Sequence, residues 1–123
     1  AGLVWLQRAR MASTPTERDF ALQSAEYESD FTLVRIAPSS TMHATILVHL
    51  GQIRRAAGDP EGALAFFDRA IDSRPDFPGG YQGRAMIERD RRNLSGAIEV
   101  LRKGSEATEG RSAELEYHLG LAL

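Results

Sequence analysis

The chain has no cysteine, which removes disulfide staples, thiolate metal ligands and a cysteine nucleophile from the possible chemistry. It has no apolar run near the roughly 18 residues of a membrane span. Basic residues are not in surplus. Fifteen Lys and Arg face 17 Asp and Glu, a formal charge of -2, so there is no electrostatic case for nucleic acid or an anionic membrane surface. The local clusters Arg54-Arg55 and Arg89-Asp90-Arg91-Arg92 are diluted by neighbouring acids and read as solvated helix surface.

Catalytic patterns are missing as well. No phosphate-loop, nucleophile-elbow or dinucleotide signature occurs, and Gly79-Gly80-Tyr81-Gln82-Gly83 lacks the preceding strand a phosphate loop needs. The three histidines are His43, His49 and His118. His43 and His49 share one predicted helix but not the one-turn spacing of a metal-binding pair, and His118 lies two repeat periods from His49. Carboxylates are numerous, yet none sits in an apolar run that would raise its pKa for acid work. The residues point away from an independent enzyme, and no metal or cofactor is expected.

What the chain does have is periodicity. Residues 47–75 combine small side chains at Gly51, Ala63 and Ala70 with large apolar ones at Leu47, Leu50 and Phe67, a Gly58-Asp59-Pro60 turn and a closing Pro75. One period of 34 residues later, Tyr81, Ala85, Ala97, Leu101 and Gly104 replace Leu47, Gly51, Ala63, Phe67 and Ala70. Arg84 replaces Leu50, a change an arginine stem tolerates by lying on apolar surface with its head in water. Glu109 stands where the closing proline was, and the turn passes to Gly110. A third copy opens at Ala113, with Leu119-Gly120 repeating Leu50-Gly51 after a one-residue insertion. Upstream, Trp5, Ala9 and Ala21 keep the spacing of Leu47, Gly51 and Ala63.

Punctuation divides this pattern into helices. Thr14-Pro15-Thr16-Glu17 is a capping box with proline at the first helical position, predicting a helix from 15 to about 36 before Pro38. Ser40 or Thr41, Asp59, Asn93 and Ser112 are candidate caps for later helices, and Gly58 is a C-terminal cap able to take positive φ. Connections of two to five residues force consecutive helices to pack antiparallel. The expected fold is all-α, a right-handed solenoid of antiparallel helix hairpins with about seven helices. It forms one domain over 1–123: a degenerate first hairpin at 2–36 with an extended second helix, repeats at 44–77 and 78–112, and a terminal helix at 113–123.

These residues resemble the tetratricopeptide repeat family over 44–123, and more faintly over 2–36. The resemblance implies an interaction scaffold whose first helices line a concave groove for a partner's peptide or helix. The groove positions it implies are Thr45, Val48, His49, Gln52 and Arg55 from one hairpin. From the next they are Gln82, Gly83, Met86 and Arg89, and from the last Glu114, Tyr117, His118 and Leu121. One branch of the family clamps the terminal carboxylate of heat-shock chaperones with Lys and Asn. The corresponding positions hold Val48, Gln52, Gly79 and Gly83, which argues against that ligand.

Arg55 and Arg89, one period apart, are expected to stack along one wall and to receive an acidic peptide. Met86 and Tyr117 would supply adaptable apolar contacts. Two other roles stay open. The chain could be the repeat domain of a larger enzyme or membrane-anchored protein, because it begins at Ala-Gly-Leu-Val-Trp-Leu without Met. That start reads either as the remnant of a removed anchor or as the first amphipathic helix, which leaves a cytoplasmic, periplasmic or membrane-anchored setting open. Alternatively it self-associates through the last helix, where Leu115, Leu119, Leu121, Ala122 and Leu123 give a nearly apolar surface.

Overall fold

A computed structural model describes residues 2–33, 35 and 40–122. It contains seven helices and no strand among those residues: α1 (Gly2–Met11), α2 (Pro15–Leu33), α3 (Thr41–Ala56), α4 (Pro60–Ser73), α5 (Pro78–Asp90), α6 (Leu94–Ala107) and α7 (Ala113–Ala122). Each helix packs on the next, and α3 also packs on α5 and α5 on α7, the neighbour pattern of a helical solenoid.

The helix starts follow from side-chain oxygens that take up otherwise unpaired backbone N–H groups. Ser40, Asp59 and Asn93 accept from the backbone nitrogens of His43, Gly62 and Gly96 at 3.0, 3.0 and 3.1 Å. Ser112 accepts from Leu115 N at 3.3 Å. At α2 the Thr14 hydroxyl accepts from Glu17 N at 3.2 Å, but Glu17 reaches back to Ser13 N rather than to Thr14 N, so the box closes one residue early. Helix α2 is described only to Leu33 and Arg35 lies in a turn, short of the expected end near residue 36, while residues 34 and 36 lie outside the described residues.

Gly58 ends its hairpin turn at φ 82°, and Arg92, its counterpart one period later, adopts φ 60° without a glycine's freedom. Glu109 (φ 56°) and Gly110 (φ 71°) form a different turn, the one between hairpins that leads from α6 to α7, at the place of the earlier Pro75.

Three linked apolar clusters form the core. The first joins Ala9 of α1 and Ala21, Leu22 and Ala25 of α2 to Ile46, Leu50 and Ile53 of α3. Ala9 and Ala21 are thus buried where the upstream spacing placed them, whereas the side chain of Trp5 lies outside the described residues. The second cluster centres on Leu47, Phe67 and Ile87, and the third on Tyr81, Leu101 and Leu115.

Phe67 is the connecting piece. A Cβ placed on Gly51 would lie 2.5 Å from its ring, and one on Gly83 would also collide with it. One ring therefore occupies the notches of both α3 and α5, and neither helix could carry a side chain there. Gly104 has the matching role under Tyr81, whose ring would stand 2.8 Å from an added Cβ. Tyr81 fills the position of Leu47 and donates its hydroxyl to Pro75 O at 2.8 Å, which lets a phenol be buried without an unpaired O–H.

Candidate functional site

The first helices α3, α5 and α7 carry the expected groove residues, and the structure sorts these by availability. Val48 is only 8% exposed and belongs to the Phe67 cluster, so it is part of the core rather than an available contact. Gly83 is buried for the same reason. Thr45 is half-buried and donates its hydroxyl to Thr41 O at 2.8 Å, one turn back on its own helix. His49 and Gln52 are half-buried along α3. Burial pushes the His49 imidazole below its ordinary pKa, favouring the neutral ring.

The expected pair of free guanidiniums reduces to one. Arg55 forks onto Asp90, with Nε 2.6 Å from Oδ2 and Nη2 3.0 Å from Oδ1. This bidentate bond raises the Arg55 pKa and holds the Asp90 carboxyl below the usual carboxylate range. The pair ties the end of α3 to the end of α5, and sequence reasoning missed it although the two residues stand one period plus one apart. Arg89 is exposed and makes no ion pair among the described residues.

At the α5–α7 junction the structure does bring expected residues together. Gln82, Met86, Arg89 and His118 line one small void of about 50 Å³, floored by Ala85 and Leu101. Gln82 donates Nε2 to Glu114 Oε2 at 2.8 Å, which fixes its amide and holds α7 against α5. Tyr117 stands edge-on to His118 at 5.8 Å between ring centroids. Tyr117 and Leu121 are 66% and 63% exposed, whereas Leu115 is fully buried and Leu119 packs against the third cluster. The outer surface of α7 is thus less apolar than its sequence implies. Of the other two residues of that expected patch, Leu123 and the side chain of Ala122 lie outside what is described.

His43 is half-buried on α3 with Nδ1 lacking a hydrogen-bond partner. Among the described residues no three His, Asp or Glu side chains converge as a metal site. No helix there is long and apolar enough to cross a membrane.

No protein-family model matches the chain. It is similar to a UDP-N-acetylglucosamine–peptide N-acetylglucosaminyltransferase of Giardia intestinalis, with 27% identity over 120 aligned residues. The match covers 80% of this chain and 8% of that transferase, so the chain spans a small part of its relative's length.

Proposed function

We propose that the chain is a tetratricopeptide-repeat scaffold that binds an acidic, extended segment of a protein partner across α3, α5 and α7. The observation that carries this reading is Arg89: an exposed guanidinium without an ion pair among the described residues, beside Met86, Gln82 and His118 at a void of side-chain size. A carboxylate entering there gains a charge-assisted hydrogen bond, while its methylenes lie on the Met86 thioether. Gln52 and His49 continue the same line of residues along α3, and Tyr117 and Leu121 extend it along α7. Arg55 acts mainly by bracing α3 against α5 through Asp90.

The test is fluorescence anisotropy with a labelled glutamate-rich peptide and its glutamine counterpart. Wild-type protein should bind the first and not the second, and Arg89→Glu should weaken binding at least about tenfold, roughly 1.4 kcal/mol, with the melting temperature unchanged. Equal binding of both peptides, or no effect of Arg89→Glu, would remove the acidic-partner reading.

The similarity to a peptide glycosyltransferase favours a second reading, in which this segment is the accessory repeat domain of a larger enzyme and presents that enzyme's protein substrates. The isolated chain would then hold peptide and transfer no sugar. Transfer from a labelled sugar nucleotide by the chain alone would contradict both readings.

A further inference from the structure

Exposed apolar surface gathers at the two ends of the described stack. Among the described residues eight large apolar side chains are more than half exposed, and of these Val4, Met11, Phe20 and Tyr27 belong to the first hairpin and Tyr117 and Leu121 to the last helix. Only Met42 and Leu94 lie between. A repeat stack ordinarily closes with polar outer faces, so apolar ends of this kind mark contact surfaces.

The two ends also differ in charge. On α1, Val4 and Met11 stand about two turns apart on the side opposite the buried Ala9, with Arg8 and Arg10 to either side of that stripe. On α7, Tyr117, Gly120 and Leu121 turn away from the buried Leu115, with Glu114 and Glu116 to either side. Helix α1 carries no acid and α7 no Lys or Arg. Arg10 is exposed and makes no hydrogen bond or ion pair among the described residues, while Glu114 and Glu116 accept only from the neutral Gln82 amide and Ser105 hydroxyl. These three charges are left without a counter-charge inside the chain.

Gly120 adds a match of shape. In α3 the notch at Gly51 is filled by the Phe67 ring, whereas an added Cβ at Gly120, which follows Leu119 as Gly51 follows Leu50, would meet nothing within 4 Å. A helix laid on α7 can seat a flexible side chain there, and Met11 is of that kind.

We infer that the chain binds a second copy of itself head to tail, with α7 of one copy lying on α1 of the next. Helix α2 is excluded as the receiver despite Phe20 and Tyr27, because its five acids against one arginine repel Glu114 and Glu116. The two surfaces are different, so the contact is heterologous: each pair keeps one free α1 and one free α7, and association continues into rows or rings. A copy seated on α7 covers Tyr117 and Leu121 but none of the residues that line the Arg89 void, so the inference stands apart from the groove reading.

Sedimentation velocity of the 123-residue chain over micromolar to near-millimolar concentration tests this. Wild type should pass from monomer to dimer and larger species, and high salt, which screens the facing charges, should reduce the association. Met11→Glu places a carboxylate opposite Glu114 and Glu116, and Leu121→Arg places a guanidinium opposite Arg8 and Arg10. Each variant alone should stay monomeric, because every copy then lacks the same half of the contact. An equimolar mixture of the two should form a dimer, since the unchanged α7 of the first meets the unchanged α1 of the second. Both positions are exposed, and Val4→Glu with Tyr117→Arg gives a second pair if either variant folds poorly. A wild type that stays monomeric, dimers in either variant alone, or a mixture that stays monomeric would overturn the assignment.

Discussion

Gly51 and Gly83 show how tightly single positions are constrained, since each leaves room for the same Phe67 ring. Gly83→Ala should overpack that contact and cost about 1–3 kcal/mol in urea denaturation, whereas Phe67→Ala should open a cavity and cost about 3–5 kcal/mol. Arg92 offers the opposite case. It holds φ 60° where the previous hairpin has Gly58 at φ 82°, so Arg92→Gly should raise stability by up to about 1 kcal/mol, and no gain in the thermal midpoint would refute the strain. The small-large alternation behind the Phe67 contact was readable because its members sit at fixed offsets within one hairpin. Arg84 was readable as a departure, but not the cleft that it lines with residues of α4 and α6. That cleft depends on which carboxylates α4, α5 and α6 turn toward one seam: Asp68 and Asp72, Glu88, and Glu99.

Between elements, ion pairs supplement the shared core: Arg54 with Glu26, Arg55 with Asp90 and Arg91 with Glu61 each connect different helices or hairpins. All are at least partly exposed, so each contributes under about 1 kcal/mol. The Arg55–Asp90 pair has a pH signature. Asp90 is held below its unfolded pKa, so its contribution is present above about pH 4 and disappears as pH falls through the lower, folded value. A stability profile from pH 7 to 2 should therefore fall less steeply for Asp90→Asn than for wild type, and parallel profiles would show the pair to be energetically silent. His49 works in the same direction at higher pH. Its folded pKa is depressed, so the advantage of the neutral ring holds above about 6.5 and declines below it. Caps were legible because Ser40, Asp59 and Asn93 act on backbone three residues away. The Arg55 fork was not, because its partner arrives only when two hairpins stack.

For the whole molecule, the three clusters run from one end of the stack to the other without a separate centre for each hairpin. Helices α3, α4 and α5, which share the Phe67 cluster and have neighbours on both sides, should exchange backbone hydrogens most slowly, and α1 and α7 fastest. Uniform protection along the chain would mean that the stack unfolds only as one unit. The position of Phe67 has a further meaning at this scale. Wedged into α3 and α5 from behind, its ring acts as a spacer that fixes how far apart those helices stand and thus the superhelical pitch of the face they line. On the proposed scaffold function, replacing it with a smaller apolar residue would change the gauge of that face from inside the stack, so affinity for the proposed partner would be adjustable at a point that partner does not touch.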